Sequence, residues 1–385
     1  MLALRASRLI DGTGAHGYGP ATILVDGDLI AEVGPSEAVH APAGAEVISL
    51  GDLTLLPGLV DAHTHFGLAF PHGGTSGSNY EILLRGTDYA RRCLLSGVTT
   101  ARTLSERDLL DVGYRKAIAE GWIEGPRTLI ATRGLQPTHS RVSVTDVQVN
   151  GPDEIRRVVR ENLAAGADLI KLYLTPPSAS ATPTQAYFSP LEIQTAVEEA
   201  HRAGRPVAVH AHGGPAVDDA IDAGVDTIEH GIYITPDQFK RMAERGTWLI
   251  GTQTIRLWET DESRLTEPLR NARDATRTNL AIARDLGVNI SVGTDGAHGL
   301  MYFEVECLVR AGFPPMEAIQ AGTKRAAEAI GLGSRTGTLE PGKWADVIAV
   351  AGDPRADIRT LKDVAFVMKA GRVVKGPDPY DRQVA

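Results

Sequence analysis

The chain has 385 residues, a mass of 41.0 kDa and a formal charge of −9 from 39 basic and 48 acidic side chains. The acids are scattered and no basic stripe occurs, which argues against a nucleic-acid partner, because phosphates select for such a stripe. Apolar residues at 43% and charged residues at 23% describe a globular protein and exclude wholesale disorder.

The first fifty residues read as β. Ala21–Val25 and Leu29–Val33 flank Asp26-Gly27, a hairpin signal, and Glu46–Leu50 and Leu53–Leu56 follow as short strands. The middle alternates β-branched runs with helical stretches. Eight strands are expected: Leu59–Ala62, Val98–Arg102, Thr128–Thr132, Leu169–Tyr173, Val207–Val209, Thr227–Glu229, Trp248–Gly251 and Asn289–Val292. Between them lie helical patterns such as Asp153–Ala165, Leu191–Ala203 and Asn271–Leu286. Ser189-Pro190-Leu191-Glu192 supplies an N-cap serine, a first-turn proline and a capping-box glutamate. The end of the chain returns to β at Val347–Val350, Ala365–Met368 and Arg372–Val374, with a tight turn at Ala370-Gly371.

Eight β/α units over this length fit a TIM (β/α)8 barrel; the rival is a doubly wound open sheet, but no Gly-x-Gly-x-x-Gly turn follows the early strands. The expected fold class is therefore α/β, with residues 57–331 as the barrel and residues 1–56 plus 332–385 as a composite β-sandwich subdomain. Cys93 and Cys307 form no metal-type pair and no disulfide framework, which points to a reducing compartment. The N-terminus turns polar too soon for a signal peptide, and no run approaches the ~18 apolar residues of a membrane span. These features lead to the expectation of a cytoplasmic protein with no membrane partner.

The polar residues near the strand ends carry the chemistry. His63 and His65 follow Leu59-Val60-Asp61, and residues at i and i+2 of a strand point the same way, so both imidazoles can reach one ion. The plainer alternative is a turn with two solvated histidines. Lys171 stands inside Leu169-Ile170-Lys171-Leu172-Tyr173, where a charge is costly unless paired or neutralised. It is either salt-bridged to a carboxylate or a neutral amine that has captured carbon dioxide as a carbamate. His210 and His230 each close a β run, and each alone is as well read as a satisfied buried histidine as a ligand. Asp295, in Val-Gly-Thr-Asp-Gly, either starts a helix or serves as metal ligand and general base. Together the six fall on the face where barrel enzymes assemble their sites.

Taken in order, Pro57-Gly58-Leu59-Val60-Asp61-Ala62-His63-Thr64-His65, Ile170-Lys171, Val209-His210-Ala211-His212-Gly213, Ile228-Glu229-His230-Gly231 and Gly293-Thr294-Asp295 resemble the motifs of the amidohydrolase superfamily. Gly337–Asp346 resembles its return into the β subdomain. The likeness covers nearly the whole chain and is strongest to the imidazolonepropionase-like and prolidase-like branch of binuclear peptidases and amidases. It implies that His63, His65 and Asp295 bind the more buried of two divalent metals, that His210 and His230 bind the other, and that carboxylated Lys171 bridges them. Zinc is the default for such ligands.

The implied activity is hydrolysis of a C–N bond in a small amide (an N-acyl amino acid, a dipeptide or a cyclic amide) by a metal-bridging hydroxide. Asp295 would move the proton, His212 would lie behind the ligands or touch substrate, and Tyr233 and His139 would contact substrate. Alternatives are a mononuclear deaminase, a lactonase or phosphotriesterase on the same site, and a non-catalytic binding module. The deaminase His-x-x-Glu is replaced here by His210-Ala211-His212-Gly213, and a non-catalytic relative would be expected to have lost ligands. The chain departs from the peptidase branch at Leu135–Arg141, where a Gly-Gly-His stretch is usual, and at Thr175-Pro176-Pro177-Ser178, where Gly-Gly is frequent. The glycine-rich stretch Phe70–Tyr80 is a lid candidate. A small-molecule substrate and a homo-oligomeric state complete the expectations.

Overall fold

The structure, a computed structural model, describes residues 1–15, 17–68, 76–140, 142, 147–177, 185–259, 261–376 and 382–384. Six strands open the chain: β1 (Leu2–Ala6), β2 (Arg8–Leu9), β3 (Ala21–Asp26), β4 (Leu29–Pro35), β5 (Glu46–Ser49) and β6 (Leu53–Pro57). Eight follow, separated by helices: β7 (Leu59–Thr64), β8 (Val98–Thr103), β9 (Arg127–Ile130), β10 (Ile170–Tyr173), β11 (Val207–Gly213), β12 (Thr227–Tyr233), β13 (Trp248–Gly251) and β14 (Asn289–Val292). Four close it: β15 (Val347–Ala351), β16 (Val364–Lys369), β17 (Arg372–Lys375) and β18 (Arg382–Val384). The chain divides into two compact units, Met1–Asp61 with Arg91–Thr100 and Gly299–Ala385, and Ala62–Ala90 with Ala101–His298.

In the first unit the terminal strands form two five-stranded sheets, ordered β18-β5-β1-β3-β4 and β17-β16-β15-β6-β2. Leu4, Ile23 and Ile48 from one sheet and Leu55, Val347 and Phe366 from the other bury their side chains in one apolar cluster. The expected hairpin is the antiparallel pair β3–β4, turning at Gly27, whose φ of +59° suits glycine. Ala370 and Gly371 both take positive φ, as a two-residue hairpin turn requires.

In the second unit β10 to β14 run parallel in chain order, with Ile170 opposite Val207, Ala208 opposite Thr227, and Trp248 opposite both Thr227 and Asn289. β7, β8 and β9 form a three-stranded sheet. β10 and β11 are buried along their whole length, which explains their continuous apolar runs. Helix Pro190–Arg202 starts as expected: the Glu192 carboxylate accepts the Ser189 backbone N–H at 2.8 Å. Parallel strands in chain order bring their C-terminal ends to one edge, and that edge carries the site.

Several strands are longer than expected, β11 and β12 most of all. β11 and β12 each run seven residues, so His210, His212 and His230 lie inside strands rather than just beyond them. A register irregularity between Ala211 and Gly213 absorbs the extra length. Most of the expected lid, Phe70–Tyr80, lies outside the described residues; Asn79 and Tyr80 already begin helix Asn79–Leu95. Among the described residues no helix is long and apolar enough to cross a membrane.

Candidate metal centre

β7 delivers His63 and His65, both buried. His63 Nδ1 lies 2.7 Å from Glu229 Oε2, and His65 Nδ1 lies 2.9 Å from the Ser105 carbonyl oxygen. Both partners are acceptors, so each ring donates through Nδ1–H and presents a lone pair at Nε2. Both Nε2 atoms sit 3.3 Å from Asp295 Oδ1, and Asp295 Oδ2 is 3.8 Å from His230 Nδ1. A convergence of lone pairs and a carboxylate is stable only around a cation, whether protons on the rings or a metal ion. The direction at His65 agrees: burial works against its charged form, but the hydrogen bond and charge of Asp295 outweigh it and raise the pKa. Ligand atoms of His63, His230 and Asp295 all lie within 4.8 Å of one another, so one ion can be held by all three.

Two further histidines extend the cluster from β11. The ring of His210 is 4.5 Å from that of His230 and 4.6 Å from that of His212, while His63 and His230 are 4.9 Å apart. Burial, then neighbouring positive charge, holds His210 and His230 well below the usual imidazole range and brings His212 to about 3. These rings are neutral and available as donors of a lone pair.

Lys171 is fully buried and its Nζ has no hydrogen-bond partner. Among the described residues no carboxylate forms a salt bridge with it, which removes the plain alternative; its Nζ lies 5.3 Å from the centre of the Tyr173 ring. Burial lowers its pKa to about 8, against the opposing pull of Glu229 and Asp295. An orphaned buried amine beside neutral imidazoles and one carboxylate is the donor set of a metal site.

Backbone strain marks the same place. His230 has φ +73°, Asp295 +50°, Thr132 +60° and Ser105 +122°, conformations that cost about 1–3 kcal/mol each in non-glycine residues. Consecutive strand residues normally face opposite ways. The turn of backbone at His230 breaks that alternation, so Glu229 and His230 both reach His63. Gly293 is required where the chain passes against His63, since a Cβ there would meet the His63 backbone nitrogen at 2.4 Å.

The sequence reading missed the support behind the ligands. Glu229 is fully buried; its Oε1 accepts from Arg102 Nη2 at 2.9 Å, and Arg102 Nε donates to the Ala62 carbonyl at 2.6 Å. Burial would raise the Glu229 carboxyl, but Arg102, His63 and Lys171 bring it down to about 2. Charged residues inside the apolar runs Val98–Thr103 and Thr227–Tyr233 were the available signal, the same one that singled out Lys171. Glu229→Gln is expected to weaken metal affinity about 10- to 100-fold, the usual scale for partners that orient a ligating histidine. Competition with a chelating indicator measures this, and unchanged affinity would leave Glu229 with a packing role only.

The cluster opens into a cavity of about 280 Å3 lined by His63, His65, Lys171, His210, His230 and Asp295 together with Leu68, Val142, Tyr173, Pro177, Ile255, Arg256 and Leu269. His212 and Tyr233 are not among its described lining residues; His212 is buried and Tyr233 is half-buried. His139 is exposed and packs edge-on against Tyr187, 5.4 Å between rings, also outside the lining.

The amidohydrolase family model matches residues 54–374. An ochratoxinase of Aspergillus niger is 32% identical over an alignment covering 84% of this chain and 76% of the relative. An imidazolonepropionase of Symbiobacterium thermophilum is 26% identical, covering 92% and 90%. Among solved structures, a Xaa-Pro dipeptidase with methionine bound in its active site superposes with a TM-score of 0.87 at 29% identity, covering 97% of this chain and all of that one. With a family match over most of its length and a donor set fit for a metal, the chain belongs to the amidohydrolase family, in its imidazolonepropionase- and prolidase-like branch, and is a hydrolase of carbon–nitrogen bonds.

Proposed function

We propose that this enzyme hydrolyses the amide bond of a small molecule such as an N-acyl amino acid, a dipeptide or a cyclic amide, using two divalent ions, zinc by default. The observation that carries the reading is the meeting of His63, His65, His210, His230 and Asp295 around the orphaned amine of Lys171. His63, His65 and Asp295 would hold one ion and His210 and His230 the other. Lys171, as a neutral amine, would form an N–C bond to carbon dioxide and release a proton, supplying carboxylate-like oxygens to the ions. When bound, the ions supply Lewis-acid activation of water and of the scissile carbonyl.

The protein's own groups do the rest. Glu229 and the Ser105 carbonyl fix the tautomers of His63 and His65. Asp295 has its two oxygens divided, Oδ1 toward His63 and His65 and Oδ2 toward His230, so one can ligate while the other takes a proton from water and passes it to the departing nitrogen. Leu68, Val142, Ile255 and Leu269 limit water around the reacting bond. His212, Tyr233 and His139 are assigned to substrate, His212 because its Nδ1 is buried without a partner near the metal ligands.

The closed (β/α)8 barrel over residues 57–331 belongs to the same reading. Its support is the hydrogen bond from the Asp295 backbone N–H to the His63 carbonyl at 2.8 Å at one seam, and that from Leu135 to Lys171 at 2.9 Å at the other. The shared apolar cluster of the terminal sheets supports the β-sandwich over residues 1–56 and 332–385. Two buried cysteines outside any disulfide support a cytoplasmic setting, and the enzyme would assemble as a homo-oligomer, which light scattering tests.

Purified protein is expected to carry two metal equivalents per chain and to release amine from N-acyl amino acids, dipeptides or cyclic imides. Metal-loaded protein that ignores all three yet releases ammonia from nucleobase-type substrates would establish the deaminase instead. Turnover confined to lactones or phosphotriesters would establish those chemistries.

A further inference from the structure

Arg256 lies on the short helix Thr254–Leu257 that follows β13 and is only 6% exposed, yet it lines the cavity beside His210, His230 and Asp295. A guanidinium taken out of water is costly unless an anion or well-placed acceptors meet it. Its direction is fixed: Nη1 donates to the Thr252 carbonyl at 2.9 Å and lies 3.3 Å from Thr252 Oγ1, which is 2.7 Å from His230 Nδ1. The cation therefore stands two hydrogen bonds from a candidate metal ligand, inside the same cavity. With Lys171 read as neutral, Arg256 is the one cationic side chain among the described lining residues.

We propose that Arg256 holds a free carboxylate of the substrate about one residue away from the scissile amide, so that the enzyme acts on N-acyl α-amino acids or dipeptides and not on uncharged or cyclic amides. The inference rests on the amide-hydrolase reading above and narrows it. The two contacts, 3.3 and 2.7 Å, keep Arg256 Nη1 within about 6 Å of His230 Nδ1, between one and two Cα–Cα steps of about 3.8 Å along a substrate chain. A planar guanidinium binds a carboxylate through two parallel hydrogen bonds, giving both affinity and orientation. Leu68, Val142, Ile255 and Leu269 line the rest of the cavity and fit an apolar side chain on that amino acid.

The test compares N-acetyl-L-leucine with its N-methylamide, which has the same scissile bond but no carboxylate. Affinities are measured by calorimetry on metal-loaded Asp295→Asn protein, where turnover is slow, with Arg256 present or replaced by methionine or lysine. Release of leucine or its N-methylamide is followed separately with the wild-type enzyme. The acid is expected to bind about 10- to 100-fold more tightly than the N-methylamide when Arg256 is present, the scale of a hydrogen-bonded charge pair. The preference is expected to fall below about threefold in Arg256→Met and to be partly restored in Arg256→Lys. Equal or undetectable affinity for both probes with Arg256 present would overturn the proposal, as would a preference that survives in Arg256→Met. Failure of the wild-type enzyme to cleave either probe would count against amide hydrolysis alone, because the binding preference decides the role of Arg256 by itself.

Discussion

Lys171→Ala is expected to purify without the proposed metal pair and to lose about 10³-fold or more in kcat/KM. Lys171→Arg is expected to be no better. Metal ions contribute several kcal/mol of transition-state stabilisation, and each 1.36 kcal/mol is tenfold in rate. Arginine keeps its charge and cannot form the carbamate, so it would place a permanent cation in a fully buried position among candidate metal ligands. The alanine variant leaves a gap that formate, acetate or propionate can enter, and partial return of metal and activity with those acids is expected. The fold itself should survive, because Lys171 Nζ makes no hydrogen bond whose loss would strand a buried partner. Circular dichroism checks that point, and metal analysis with kinetics checks the rest. Full metal content and full activity in Lys171→Arg would remove the carbamate.

The strands of the second unit were legible because they are buried on both faces and read as unbroken apolar runs, which lets a single lysine or histidine stand out. His63, His65, Lys171, His210, His230 and Asp295 were all visible in that way, and the structure brings them together. The length of β11 and β12 was not visible. Sequence alternation cannot register a bulge at Ala211–Gly213 or the positive φ of His230, both set by neighbouring strands. Glu229 was masked by its own neighbour: beside His230 on a regular strand it should have faced away from the ligands. Arg256 was missed for a different reason. It sits on a four-residue helix after β13, and nothing in Thr254-Ile255-Arg256-Leu257 distinguishes a cavity wall from a surface turn until the cavity exists.

Asp295→Asn is expected to lower kcat by about 10²- to 10⁴-fold while KM changes little, the pattern of a lost general base. The substitution is a fair probe because the backbone tolerates it: Asp295 has φ +50°, a left-handed conformation that asparagine adopts as readily as aspartate, whereas alanine would add strain. The amide also keeps one oxygen for a metal. In metal-free protein it has another choice, since its NH2 can turn toward the Nε2 lone pairs of His63 and His65, 3.3 Å from the present Oδ1. Metal loading would then have to reverse the amide, so the variant is expected to bind metal more weakly and must be assayed at full occupancy, confirmed by metal analysis of the same sample. Under that condition the oxygen faces the ion and the NH2 occupies the place of Oδ2, near His230 Nδ1, where it can donate but not accept. Water then has no carboxylate to take its proton and the departing nitrogen has none to receive one from. Full metal with near-normal kcat would leave Asp295 as a ligand only and move proton transfer to His212, whose partnerless Nδ1 makes it the next group to replace.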